Sequence, residues 1–416
     1  VGERSQVLIF LSLPDFANKE FVMRKVLLAY LFPPSPAIPA IPHRLPAGCS
    51  GSQPVSRVIA TVLEGAKKAA RLALLCLALP PAGFPCLQAA AQTGEWVWMG
   101  GNSSAPDNFG CASMLSGFCG WPGVSGTMGI PSAGNLPGSR YEAAGWSDHS
   151  GNLWLFGGLG FALSPVPQQS INDLWEFNPV TSEWAWLSGE IEGGDPYSQK
   201  GFYGTLGVPA AGNVPGSRWL ALSWTGNDNH LWLFGGSGYD SVLSEGGYLN
   251  DLWVFDPVND EWAWIGGGNT AQQSGIYGTV GAPDSGNVPG GRQASTGWTD
   301  AAGNFWLFGG YGIDANNHEG YLNDLWEFTP SIGEWTWMGG SSAEGCTSNC
   351  GQAGVYGMLG VPATGNIPGS RQGANAWSDG SGNFWLFGGF GFDGSGTAGY
   401  LNDLWEFSPS ANAWGW

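Results

Sequence analysis

Three short segments bring together acidic groups and aromatic rings, the side chains that hold sugars or exposed peptide by stacking and hydrogen bonding. They are YDSVLSEGGY (239–248), YGIDANNHEGY (311–321) and FGFDGSGTAGY (390–400). The candidate ligand-binding side chains are Tyr239, Asp240, Tyr311, Asp314, His318, Phe390 and Asp393. Tyr248, Tyr321 and Tyr400 each precede Leu-Asn-Asp, so recurrent packing accounts for them as well as binding does.

Catalytic signatures are sparse. No carboxylate departs from the repeated pattern to suggest an acid/base pair. No Ser-His-Asp arrangement is visible. After residue 91 the only histidines are His149, His230 and His318, each in a different repeat. Cys111 and Cys119 form one close pair, and Cys346 and Cys350 another. No histidine lies within metal-ligand spacing of either pair, and an even count favours disulfides. The acidic loops lack an EF-hand spacing. No catalytic residue, metal or cofactor is expected, and the chain is read as a non-enzyme.

These residues sit on a repeat, which fixes the architecture before anything else. RYEAAGWSDHSGNLWLFGG…INDLWEFNPVTSEWAW spans 140–186, and related units span 218–264, 292–337 and 371–416. Each unit opens with a mixed-polarity segment and a turn cluster such as DHSGN. An apolar run such as LWLF follows, alternating Leu on one side with Trp and Phe on the other. Both sides must then be buried, as in a sheet between two neighbours. Gly-Gly is expected to end that strand, where the backbone needs a positive φ or lies against another chain segment. Asn-Asp-Leu-Trp opens a third strand, a tight turn follows, and Glu-Trp-Ala-Trp or its equivalent is the fourth. Four antiparallel strands buried on both faces call for radial stacking.

The order Arg, Gly-Gly, Asn-Asp-Leu-Trp and closing Trp resembles the kelch repeat, across all four units. The resemblance implies a β-propeller with one four-stranded blade per repeat, similar to the central domain of galactose oxidase. The spacing departs from it. Trp154, Trp232, Trp306 and Trp385 are 78, 74 and 79 residues apart, against about 50 for kelch. The excess lies in connections with their own motif, such as GTLGVPAAGNVPG before Arg218, which are therefore expected to be ordered. The copper radical oxidases related to galactose oxidase need two histidines, tyrosine ligands and a cysteine cross-linked to one tyrosine. The scattered histidines and locally paired cysteines do not match that set.

Within such a propeller, Arg140, Arg218, Arg292 and Arg371 could ring a central channel and hold an anion. The expectation is instead that each pairs with a carboxylate, such as Asp173, Asp251, Asp324 or Asp403 of the Asn-Asp-Leu-Trp motif, since buried arginines are generally paired. Residues 94–99 match a fourth strand without the three before it, and the chain stops on a fourth strand. The expectation is a fragment of a ring of five or more blades that continues past Trp416. A four-bladed or open arrangement is the alternative.

The first 91 residues share nothing with the repeat. Lys67, Lys68 and Arg71, the apolar run 72–79 and Ala89-Ala90-Ala91 read as a signal peptide at about 65–91. The run is too short to span a bilayer, so no integral span is expected in the mature chain. Residues 92–416 carry 29 Asp and Glu against five Lys and Arg, which excludes a nucleic-acid partner. The expected localisation is secreted, periplasmic or cell-surface. The expected partner is protein or carbohydrate, bound through the loops after the second and fourth strands. A loop-based extracellular carbohydrate-active enzyme and a purely structural surface repeat are the alternatives.

Overall fold

The computed structural model describes residues 97–104, 120–161, 169–189, 200–242, 246–344 and 348–416. The leader 1–91, Cys111, Cys119 and Cys346 lie outside the described residues. Among the described residues all regular structure is β-sheet, arranged as the blades of a β-propeller. No helix there is long and apolar enough to cross a membrane.

Blade 1 comprises β1 (Arg140–Tyr141), β2 (Ala144–Ser147), β3 (Leu153–Gly160), β4 (Gln169–Asn178) and β5 (Glu183–Ser188). Blade 2 comprises β6 (Arg218–Trp219), β7 (Leu222–Thr225), β8 (Leu231–Gly238), β9 (Gly247–Asp256) and β10 (Glu261–Gly266). Blade 3 comprises β11 (Arg292–Gln293), β12 (Thr296–Thr299), β13 (Phe305–Ile313), β14 (Glu319–Thr329) and β15 (Glu334–Gly339). The short strand β16 (Ser348–Cys350) adds to blade 3 in parallel with β14. Blade 4 comprises β17 (Arg371–Gln372), β18 (Asn375–Ser378), β19 (Phe384–Phe387), β20 (Phe390–Phe392), β21 (Ala398–Tyr400), β22 (Leu404–Ser408) and β23 (Ala413–Gly415). Of the expected strand 94–99, residues 97–99 are not in a strand and the rest lie outside the described residues.

The double glycine ends the strand only in blade 4, where β19 stops at Phe387. In blades 1 to 3 that strand runs through it, with a register shift such as that between Phe308 and Gly310. Gly157 and Gly158 take φ values of 68° and 97°, a region that side chains with a Cβ adopt at a cost. A Cβ on Gly157 would also lie 2.7 Å from the carbonyl oxygen of Arg218 in the next blade. The glycines therefore let one blade approach the next.

Apolar alternation produces the core. The side of blade 1 carrying Trp146, Trp154, Phe156 and Leu174 packs against Leu231, Leu233, Phe255 and Trp262 of blade 2. The equivalent residues repeat this between blades 2 and 3 and between blades 3 and 4. The first strands of successive blades also lie side by side. The amide of Leu220 donates to Glu142 at 3.0 Å, that of Ala294 to Leu220 at 3.0 Å, and that of Gly373 to Ala294 at 2.9 Å.

The described parts of the connections form regular contacts, and each belongs to the blade that follows it in sequence. Bridges join Ser132 to Trp184, Ala210 to Trp262, Asp284 to Trp335 and Ala363 to Trp414. An asparagine side chain fixes each crossing: Asn213 Nδ2 donates to Trp262 O and to Val208 O, both at 3.0 Å. The connection thus covers the outer edge of its own fourth strand, an edge that would otherwise present unpaired amides and carbonyls. Gly226 stands where the other blades have Asp148, Asp300 and Asp379. Those carboxylates accept the indole N–H of Trp154, Trp306 and Trp385, whereas the buried Nε1 of Trp232 has no hydrogen-bond partner.

Candidate ligand-binding surface

Each repeat arginine is held inside its own blade. Arg218 makes a two-pronged pair with Asp251 at 2.7 and 2.8 Å. Its remaining groups donate to the carbonyls of Gly216 and Gly235, both at 3.0 Å. Arg292 with Asp324 and Arg371 with Asp403 repeat this, and Arg140 pairs with Asp173. With those donors committed to carboxylate and carbonyl oxygens, the anion-holding alternative is set aside. A tyrosine and a tryptophan complete the hub in blades 2 to 4. Tyr277 O–H and Trp326 Nε1 both donate to Asp324 Oδ2 at 2.7 Å. Burial first, and then the Asp324 carboxylate, hold the Tyr277 phenol well above its ordinary range. Sequence reasoning missed Tyr203, Tyr277 and Tyr356 in this role, although each occupies the same place in the connection motif. In blade 1 that place is Ser125.

The loop acids are less available than their sequence suggests. Asp240 is buried and accepts the amides of Val242 and Ala271. Asp314 is buried and accepts the amides of Asn316, His318 and Glu344. Both carboxylates fold their loops rather than face solvent. Asp393 lies in a similar turn, accepting Ser395 and Thr397, and those interactions lower its pKa. His318 is half-buried with Nδ1 3.6 Å from Asp314 Oδ2. His230 bonds Asp228, and the backbone amide of exposed His149 meets the Asn229 side chain. Tyr239 is half-buried beside Asp240.

The aromatic members come together instead. Beyond the double glycine, Tyr311 sits directly opposite Tyr321, and Phe390 directly opposite Tyr400. Tyr248 of blade 2 meets Tyr311 of blade 3 at 5.7 Å between ring centres, and Tyr311 meets Tyr321 at 4.8 Å. Tyr321 reaches Phe390 of blade 4 at 5.6 Å, and Phe390 meets Tyr400 at 5.1 Å. One ribbon of rings, most of them half-exposed, crosses three blades. Glu319 lies on it, accepting the Tyr248 hydroxyl at 3.0 Å. Partial burial and then Glu319 push the Tyr248 and Tyr311 phenols upward, so both remain hydrogen-bond donors at neutral pH. Glu319 was absent from the sequence-derived site, and the ribbon runs between repeats, where spacing along one chain gives no signal. Blade 1 does not contribute, because Leu159 and Ser170 occupy the matching pair.

Glu344, also unforeseen, replaces the alanine found at the equivalent Ala271. It is buried, with Oε2 3.3 Å from Ser370 Oγ and Oε1 without a partner. Burial, then the Asp324 charge, pushes its carboxyl from 4.5 up to about 8. The folded state therefore holds this proton more tightly than the unfolded chain. Its contribution to stability is full below about pH 4.5 and is lost as pH rises toward 8. Each tenfold difference in proton affinity is worth about 1.4 kcal/mol. Urea titrations from pH 5 to 8 should show stability falling in the parent more steeply than in Glu344→Gln. Parallel curves would refute this assignment.

Of the four cysteines expected in disulfides, Cys350 alone is among the described residues. Among those residues no group of three or more His, Cys, Asp or Glu is arranged to hold a metal.

Fold and surface together define a repeat-built β-propeller that presents an aromatic ribbon on the paired strand ends beyond the double glycines. No family model matches the chain, and no curated protein matches it. Among solved structures, one titled "Structure of YjhT" is similar over 68% of this chain and 85% of that chain, at 14% identity and a TM-score of 0.36.

Proposed function

We propose that this protein is a secreted or cell-surface propeller of the kelch type that binds carbohydrate without turning it over. The carrying observation is the ribbon Tyr248–Tyr311–Tyr321–Phe390 with Glu319 beside it. Half-exposed rings offer apolar faces to a sugar, and fixed phenols and a carboxylate offer hydrogen bonds. The proposal takes Cys350 to be paired with Cys346, a pairing that fits an extracellular setting. Pairing of Cys111 with Cys119 belongs to the same reading. Binding without catalysis is supported by the loop acids: Asp240 and Asp314 are buried and already bonded to backbone amides. A protein ligand is the second reading, since aromatic rings with a polar rim also suit peptide.

Glycan-array screening followed by calorimetry tests the proposal. Tyr311→Ala and Tyr321→Ala should each weaken binding of the selected glycan by about tenfold or more, taking one ring contact as roughly 1.5 kcal/mol. Binding that survives both changes, or release of reducing ends from the ligand, would overturn it.

A further inference from the structure

We infer that the sugar held on the ribbon carries an amino group, and that Glu319 is the residue that selects it. This rests on the carbohydrate-binding reading above and names the class of sugar. The inference starts from a break in the repeat. Glu319 occupies the position held by Gly246 in blade 2 and by Ala398 in blade 4, two residues ahead of the recurrent tyrosine. A carboxylate that served the blade alone would recur, as Asp251, Asp324 and Asp403 do. Glu319 instead stands at the joint between blades 2 and 3, where Tyr248 of blade 2 reaches it. Its backbone is fixed from both sides, opposite Ile313 in the blade-3 ladder and beside Ser348 of β16.

The groups around Glu319 offer acceptors rather than donors. Tyr248 donates its hydroxyl to Glu319 Oε1 at 3.0 Å. Partial burial, and then a hydrogen bond to Glu319, raise the Tyr311 phenol. With both phenolic protons committed to the carboxylate, the phenol and carboxylate oxygens present lone pairs to a ligand. A sugar hydroxyl answers them with a single neutral donor. An ammonium brings three N–H donors and the opposite charge. The rings favour the same group. Tyr248 and Tyr311 meet at 71°, and Tyr311 and Tyr321 at 77°. Neighbouring faces therefore turn in nearly perpendicular directions beside a carboxylate. A cation over the face of a tyrosine is attracted by the negative side of the ring quadrupole.

A sugar acid finds no counter-charge here. Arg292 and Arg371 are buried and paired with Asp324 and Asp403. Lys200, the only lysine after residue 91, lies over the Phe202 ring at 5.3 Å, in the connection ahead of blade 2. His318, next to Glu319 in the chain, has its Nδ1 3.6 Å from Asp314 Oδ2. The segments flanking the ribbon add the acids Asp240, Asp314 and Asp393. Such a field repels uronic, sialic and sulfated sugars and draws in amino sugars.

Calorimetry of the full chain with a linear glucosamine hexamer, and with the same hexamer N-acetylated, tests this, because the two differ only at the amino groups. The parent is expected to bind the free-amine oligomer at least about tenfold more tightly, with one site per chain. Glu319→Gln should reduce that preference to about twofold or less and leave the affinity for the acetylated oligomer unchanged. Glu334→Gln is the control, since Glu334 stands opposite Thr329, at the other end of β14 from Glu319. It should keep the preference, which separates a site from general attraction between a polyamine and an acidic protein. Equal affinity of the parent for the two oligomers overturns the inference. So does a preference lost equally in Glu334→Gln, or a Glu319→Gln variant that weakens both oligomers alike and so marks a role only in holding Tyr248. An oligolysine peptide that displaces the free-amine oligomer and binds more tightly would reassign the surface to protein. If a neutral glycan binds through Tyr311 and Tyr321 with no gain from the amine, this inference alone fails. If no glycan binds, the carbohydrate reading fails with it.

Discussion

Replacing Arg292 by methionine is expected to cost about 3–5 kcal/mol of folding stability, the penalty for stranding a buried carboxylate. Arg292 and Asp324 are both fully buried. Asp324 receives two guanidinium N–H groups, a phenol and an indole, all at about 2.7 Å. Losing the guanidinium leaves a charge that the phenol and indole alone cannot offset. Arg371→Met provides an internal comparison. Asp403 is 10% exposed at its side chain because blade 4 has an open side, so water can relieve part of the loss. Urea unfolding followed by tryptophan fluorescence should therefore rank Arg292→Met as the more damaging change. Equal losses, or a loss below about 1 kcal/mol for Arg292→Met, would show that the hub is dispensable.

The second large effect is expected at Gly309. Alanine there would take a φ of +62° and place its Cβ 2.8 Å from two backbone carbonyls, Arg371 of the next blade and Leu322 of its own. Neither carbonyl can move without shifting a strand. Strain of roughly 1–3 kcal/mol from the left-handed backbone and a further 1–3 kcal/mol from overpacking should add. Gly388→Ala shares the backbone cost but meets only Leu401 O at 2.9 Å. The difference in unfolding free energy between the two variants measures how closely the blades approach. A Gly388→Ala variant as damaged as Gly309→Ala would show that backbone conformation alone explains the glycines.

The blade was legible in the sequence because its signals are local and repeated. Alternation within LWLF and the return of Asn-Asp-Leu-Trp specify strands with two buried sides, and blades 2 and 3 are packed on both sides. The course of the double glycine was not legible. A glycine that ends a strand and a glycine that bends one look alike in sequence, and the distinction lies in the arginine carbonyl of the following blade. Asp240 and Asp314 misled for a related reason. A carboxylate that accepts amides two and four residues later has the same sequence as one waiting for a ligand, and Asp314 does the former with Asn316 and His318. The ribbon from Tyr248 to Phe390 was hidden because its contacts join residues of different repeats. Tyr311 and Phe390 could be singled out singly, but only blade-to-blade stacking sets them in line with Tyr248, Tyr321 and Glu319.

The segment that crosses the outer strand has a consequence for how such a chain can change length. Because residues such as Ala210 and Asn213 protect the fourth strand of their own blade, each blade travels with its own edge guard. Insertion or excision of a whole module, cut just ahead of a connection, would leave every remaining outer strand sheltered. A cut at the repeat arginine would instead part a blade from the guard that precedes it, leaving the first blade of the moved segment bare and its end carrying another blade's guard. The portable unit is therefore the longer segment that begins in the connection, and gene duplication at that boundary could lengthen the array without creating a surface prone to fibrous aggregation.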